Sequence, residues 1–302
     1  MTTQNPIARE LLLLALLSTL WAASYTFIKI GVETIPPITF IASRTLIAGL
    51  LLYVVIRLRG LRLPKNFATW RLFFIQACIN SVLPFTLIAW AEQSIDAGLA
   101  VILNATTPIF TFLLTALVIR HEAVSGRKLF GTIAGMTGVC LIIGMEALGG
   151  AGEAIWSQLA VLMAAFSYAC AAIFGKNFKG LDPIMPAAGS LICGAVLLLP
   201  VSLMVDRPWT LSPSAASLTS LVCLSVFSTA LAFMIYFRLM QTLGSVGTTS
   251  QAYLRVPVGV AIGMAFLGEV PTPAMWVGLV CVIAGVLAMT LPSRRRPVVQ
   301  GG

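Results

Sequence analysis

The sequence predicts an all-α integral membrane protein: ten transmembrane helices in two inverted five-helix repeats around a central cavity, with both termini cytoplasmic. Three observations predict it. The chain is 59% hydrophobic and 10% charged, with a mean hydropathy of +0.98. Soluble domains carry about 25% charged residues, so a fold of this length cannot hide so much apolar surface from water, and its solvent is lipid. The apolar residues fall into ten segments, each near the ~20 residues that a helix needs to cross a hydrocarbon core. Finally, one pattern occurs twice. Pro108, Glu122, Gly131 and Gly138 are matched by Pro257, Glu269, Gly278 and Gly285, and the two glutamates stand 147 residues apart in a chain of 302. Duplication of this kind is a common construction in secondary transporters.

The segments cover residues 11–30, 38–57, 70–91, 98–119, 129–146, 155–175, 184–205, 216–238, 246–267 and 274–292. The first begins after Arg9 and resembles a signal peptide, with Ala22 and Ala23 where a cleavage site would lie. The apolar run continues to residue 30 and the helix count requires it, so the expectation is a retained first helix. Proline marks the helix ends at Pro36 and Pro37, Pro64, Pro183, Pro213, Pro271, Pro273 and Pro292. The connections are too short for a soluble domain, which argues against ATP hydrolysis or a large receptor domain within this chain.

Lys and Arg orient the helices. With a cytoplasmic N-terminus, fifteen of the nineteen fall on the cytoplasmic side, from Arg9 through the 57–71 cluster to Arg294, Arg295 and Arg296. Two, Lys29 and Arg207, fall outside, and Arg44 and Arg255 lie within helices. The positive-inside rule therefore places both termini in the cytoplasm. Because five is odd, residues 1–150 (helices 1–5) and 151–302 (helices 6–10) enter the membrane in opposite senses, as inverted-topology repeats. The net charge of +9 does not indicate nucleic acid, since the charges sit in short clusters between apolar runs. The six cysteines all fall inside apolar runs with no CxxC spacing. They read as packing residues, with no metal or cofactor expected.

These residues carry a family resemblance. The ten helices, the 5+5 repeat, LWAASYTFIK at 20–29, FLGE at 266–269 and the glycine-spaced fifth and tenth helices resemble the drug/metabolite transporter superfamily in its EamA-type branch. Among its members the chain is most similar to bacterial amino-acid exporters, including the aromatic amino acid type. The resemblance implies export of small metabolites across the inner membrane from a central cavity. The first copy departs from it, reading VIRHE at 118–122 where the family often has FLGE.

Polar groups in lipid are costly and tend to face a protein interior or an aqueous path. In helix 3, Gln76, Asn80 and Pro84 recur at i, i+4 and i+8. Helix 4 places Asn104, Thr107, Pro108 and Thr111 on one face, and helix 9 does the same with Thr248, Gln251 and Arg255. Helix 1 offers Ser18, Trp21 and Tyr25, and helix 6 offers Phe166 and Tyr168. From these faces, with Tyr253 and Trp90 added, the predicted cavity set is Trp21, Tyr25, Gln76, Asn80, Trp90, Asn104, Tyr168, Gln251, Tyr253 and Arg255. The competing reading is that the amides only join helices, at ~0.6 kcal/mol per contact. Arg255 lies deeper in its helix than Arg44, so depth favours Arg255 as the charge that attracts a substrate carboxylate. Pro108 and Pro257 each remove a backbone hydrogen bond and are candidate bending points.

No Asp or Glu lies centrally in any segment, and His121 lies in a loop. Proton coupling thus has no obvious carrier, and uniport or exchange fits as well as proton antiport. Glu92 is the coupling candidate, with a loop-tying role as its alternative. The glycines of helices 5 and 10, and Gly259 with Gly263, allow close helix packing, within a monomer or across a dimer. Trp70, Trp156, Trp209 and Trp276 read as interfacial anchors.

The predicted function is export of amino acids, neutral or aromatic, by alternating access. A multidrug or nucleoside exporter of the same superfamily is the alternative. An intramembrane enzyme would need HExxH, GxSxG or a base at depth, and a channel would need charge rings or a filter repeat. None of these is visible, and a purely structural membrane protein would not need the polar faces.

Overall fold

The computed structural model describes residues 6–95, 97–116, 125–143, 155–262 and 273–291. The described elements are all helical. Helix α1 spans Pro6–Gly31 and α2 spans Pro37–Leu58. Next come α3 (Phe67–Ala77) and α4 (Leu83–Ala91), joined without a break by a π-helical turn at Cys78–Val82. Then α5 (Ala97–Asn104), α6 (Thr107–Leu114) and α7 (Gly126–Ile143) complete the first half. The second half opens with α8 (Ile155–Phe174) and α9 (Ile184–Val205). A second π-helical turn, Val226–Leu231, joins α10 (Ala215–Ser225) to α11 (Ala232–Thr242). Last are α12 (Gly244–Thr249), α13 (Gln251–Ile262) and α14 (Pro273–Thr290). Six helices among the described residues are long and apolar enough to cross a membrane: Ile7–Gly31, Pro37–Leu58, Phe67–Ala91, Ile155–Phe178, Ile184–Val205 and Ala215–Thr242. Leu99–Leu114 and Trp276–Thr290 are shorter apolar helices.

The packing has internal symmetry. α7 lies along α14 and α2 along α9, the two most extensive pairings. α1 packs against α10, α11 and α13, and its counterpart α8 packs against α4, α5 and α6. α3 meets α9, as α10 meets α2. The two π turns occupy matching places as well, with Cys78 and Val226 opening them 148 residues apart. A π turn inserts one residue into the α register and re-aims everything after it. At both turns a main-chain carbonyl is met from the opposite helix: Ser167 Oγ donates to Ile79 O at 2.7 Å, and Trp21 Nε1 donates to Ser228 O at 3.0 Å.

Local capping explains several helix ends. Asp182 Oδ1 accepts the Ile184 amide at 3.0 Å and starts α9. The equivalent position before α2 is Pro36, which has no side-chain cap. Asp206, at the far end of α9, supplies one. Its Oδ2 accepts from the Thr39 amide at 2.9 Å and from Thr39 Oγ1 at 2.7 Å. A carboxylate there also suits the positive end of the helix dipole.

The glycine spacing of the fifth and tenth segments has a packing role. A Cβ added to Gly131 would stand 2.6 Å from the Gly285 carbonyl oxygen, and one on Gly138 would stand 2.6 Å from that of Gly278. The two helices approach backbone to backbone, and only glycine permits it. In the fourth segment the chain breaks at Ala105 and Thr106, just before Pro108, the second residue of α6. In the ninth it breaks at Ser250, whereas Pro257 lies inside α13, seven residues further on. Hydroxyls cover the carbonyls at the breaks: Thr107 Oγ1 bonds Asn104 O at 2.7 Å, and Ser250 Oγ bonds Gly247 O at 2.6 Å. The first break therefore adjoins its proline and the second does not. Asp96, His121, Glu122, Gly263 and Glu269 lie outside the described residues.

Candidate functional site

A central cavity is lined from both halves of the chain. Helix α1 contributes Trp21, Ser24, Tyr25 and Ile28, and α2 contributes Arg44. The third span contributes Asn80 from its π turn, then Phe85 and Ile88. Asn104 and Thr107 come from the two sides of the break between α5 and α6, and Tyr168 from α8. Opposite them stand Phe233 and Tyr236 of α11, Thr249 of α12, and Gln251 and Arg255 of α13.

Half of this wall is built in duplicate. Trp21 and Tyr168, Phe85 and Phe233, Ile88 and Tyr236, and Asn104 and Gln251 are pairs separated by 147 or 148 residues. The charges break this symmetry. Thr107 is the counterpart of Arg255, and buried Leu191 stands 147 residues from Arg44.

Both arginines are held by neutral partners. Arg255 Nε donates to Gln251 Oε1 at 2.9 Å and its Nη1 donates to the Tyr25 hydroxyl at 2.8 Å. Its guanidinium lies 5.3 Å from the Trp21 ring centre and 5.7 Å from that of Tyr25. Arg44 Nε donates to Thr229 Oγ1 at 2.7 Å, and its guanidinium stacks 3.7 Å over Phe85. Cation–π contact stabilises a desolvated guanidinium by ~2 kcal/mol, but it does not neutralise it. Among the described residues neither arginine forms an ion pair, and no acid lines the cavity. The amides add further capacity. Asn80 Nδ2 and Asn104 Nδ2 are buried donors with no partner among the described residues. The cavity thus offers two cations, unpaired amide donors and a rim of aromatic rings, a set that suits a carboxylate joined to an apolar body.

Of the predicted cavity set, Trp21, Tyr25, Asn80, Asn104, Tyr168, Gln251 and Arg255 meet at this cavity. Three do not. Gln76 is buried against α8, its Nε2 donating to Ala171 O at 3.4 Å. The π turn explains this, because an i, i+4 face drawn through Gln76, Asn80 and Pro84 assumes an unbroken α register. Tyr253 is fully buried between α13 and α7, its hydroxyl bonded to Thr132 O at 3.1 Å and its ring filling the space over Gly135. Trp90 is 46% exposed on the outside of the fold, two residues from the cavity-lining Ile88, and does not line the cavity. Depth in the sequence favours Arg255, but Arg44 reaches the same cavity and is only 2% exposed. Helix depth, counted from the terminus, ignores the length of an arginine side chain. Phe233 and Tyr236 escape a search for polar faces. The 148-residue repeat pairs them with Phe85 and Ile88, which a search for polar faces misses as well.

Comparison with known proteins adds to this geometry. The EamA-like transporter family matches the chain twice, over residues 8–144 and 155–291. The chain belongs to this family. Its relatives include an uncharacterized inner membrane transporter of Escherichia coli, YedA, 26% identical over 90% of this chain and 87% of that protein. An uncharacterized transporter of Bacillus subtilis, YoaV, is 26% identical over 92% of this chain and 96% of its own. A protein of Streptantibioticus cattleyicolor named "Probable terminal-alkyne amino-acid exporter" is 27% identical over 93% of this chain and 94% of its own. A solved crystal structure matches with a TM-score of 0.75, covering 94% of this chain and 98% of the other at 17% identity, which speaks to the fold alone. The protein is therefore a membrane transporter of the EamA-like family.

Proposed function

We propose that the protein is an inner-membrane exporter of amino acids, with an apolar or aromatic side chain preferred. In this reading ten spans form two inverted halves, residues 1–150 and 151–302, with both termini in the cytoplasm. One half rocks against the other and opens the cavity to each side in turn. The protein works as a monomer, in keeping with glycine faces on α7 and α14 that are used up within one chain.

One observation carries the substrate class: two buried guanidiniums, Arg44 and Arg255, that meet no carboxylate among the described residues. A buried charge is costly until it is paired, and a substrate carboxylate would pair it. The rings of Trp21, Phe85, Phe233 and Tyr236 cover an apolar side chain, and the carbonyl oxygens of the cavity amides can accept from an ammonium. The Streptantibioticus relative's name points to the same class of cargo. The aromatic lining also suits a nucleoside, but a neutral nucleoside leaves both arginines unpaired, and a cationic drug meets two like charges.

Counterflow in proteoliposomes tests the proposal. Vesicles loaded with unlabelled leucine, phenylalanine or tyrosine should take up the labelled amino acid transiently, with saturation. Absence of counterflow for every amino acid, alongside uptake of a nucleoside or a cationic dye, would overturn it.

A further inference from the structure

From the sequence, Glu92 is the coupling candidate, with a loop-tying role as its alternative. In the fold it is 0% exposed, and neither carboxylate oxygen has a hydrogen-bond partner among the described residues. It lies one residue beyond the span Phe67–Ala91. Phe85, Ile88 and Glu92 follow at i, i+3 and i+7, so the carboxyl continues the face of α4 whose Phe85 and Ile88 line the cavity.

Cations surround it without bonding it. From α1, Lys29 donates to the main-chain oxygens of Glu92 and Ile95, at 2.7 and 3.1 Å, and not to the carboxylate. Arg44 of α2 spends its Nε on Thr229. Tyr25 is the other titratable group of α1 that senses Glu92. α8, which also packs on α4, brings Tyr168 and Cys170 and no acid or base. Burial pushes the Glu92 carboxyl up to about 9, against the opposing pull of Lys29 and then Arg44. Burial with no hydrogen-bond partner among the described residues favours the neutral carboxyl.

We propose that Glu92 is the proton-exchanging group of this transporter, protonated when the cavity is empty and ionised when the substrate's ammonium lies beside it. The inference rests on the amino-acid reading above. The arginines hold the substrate carboxylate, and the ammonium extends toward Glu92. An adjacent cation favours the carboxylate, so loading from the cytoplasm releases one proton to cytoplasmic water. After the substrate leaves, Glu92 takes one proton from the external side and returns neutral. The cycle exports one amino acid for one proton imported, with no change in oxidation state.

The test measures the proton-to-substrate ratio in proteoliposomes carrying an internal pH dye, with phenylalanine and leucine as probes. Wild-type protein should move about one proton per amino acid, opposite in direction. Glu92→Gln should drop the ratio to zero, lose accumulation driven by a pH gradient, and keep a weakened counterflow. If Glu92→Gln shows no flux, Glu92→Asp decides: it should keep the ratio and shift the pH midpoint of counterflow. Net amino-acid efflux without proton movement in the wild type overturns this inference alone, as does a Gln variant that still moves protons or an Asp variant with an unshifted midpoint. Wild-type protein that exchanges no amino acid overturns the functional reading and this inference together.

Discussion

Arg44 and Arg255 show how single residues give a nearly symmetric wall a directional preference. The aromatic and amide pairs line both sides of the cavity alike, while each guanidinium comes from a position whose counterpart is uncharged. Hydrogen bonds to a charged group are worth about 1.5–3 kcal/mol. Replacing either arginine with Ala should therefore weaken the apparent affinity for an amino acid at least ~10-fold, since each ~1.4 kcal/mol is tenfold. Thermal unfolding in detergent should confirm that the variants remain folded. Trp90→Ala is the control: its ring lies at the outer surface, so transport should match the wild type. A large loss in Trp90→Ala with normal expression would contradict its placement.

At the level of elements, two contacts invite measurement. α7 and α14 meet through glycines whose added Cβ atoms would stand 2.6 Å from opposing carbonyl oxygens. Overpacking of this kind costs roughly 1–3 kcal/mol, and Gly138→Ala should lower the unfolding temperature clearly, whereas the same change at Gly126, where a Cβ meets nothing, should not. The second contact is the Asp206 cap on α2. Its removal in Asp206→Ala should cost about 0.5–2 kcal/mol, while Asp206→Asn, which keeps an acceptor, should cost less. Equal unfolding temperatures for the Ala and Asn variants would argue against capping. These elements were legible to different degrees. The α7 and α14 glycines were readable because their spacing is regular. The Asp206 cap was not, since 167 residues separate it from Thr39 and no local pattern joins them.

On the scale of the whole molecule, the testable feature is orientation. The excess of Lys and Arg on one set of connections predicts a cytoplasmic C-terminus. A fluorescent-protein fusion at the C-terminus should glow, and an alkaline phosphatase fused there should be inactive. A cysteine introduced at Arg207 should react with an impermeant thiol reagent from outside in a chain whose own cysteines have been replaced. Unreactive Arg207→Cys with an active phosphatase fusion would invert the topology. Both π turns interrupt spans that run antiparallel to α1 or α8. They lie beside the cavity, where a change of register can move the lining without breaking a helix.

The sequence by itself determined the solvent, the helical class, the duplication and most of the polar residues of the cavity. Those properties follow from composition, segment length and spacing, which are local or repeat at a fixed interval. Only the tertiary structure decided which side of each helix is inner. The π turn at Cys78–Val82 shifts the register of the third span, and so carries Gln76 away from the cavity. The reach of Arg44 brings a second cation to it, and burial leaves Glu92 without a partner. A one-residue insertion in a helix turns every later side chain by about a quarter of a circle, and a buried charge takes its meaning from what surrounds it. Neither is written in the spacing of the residues, because both depend on contacts between segments far apart in the chain.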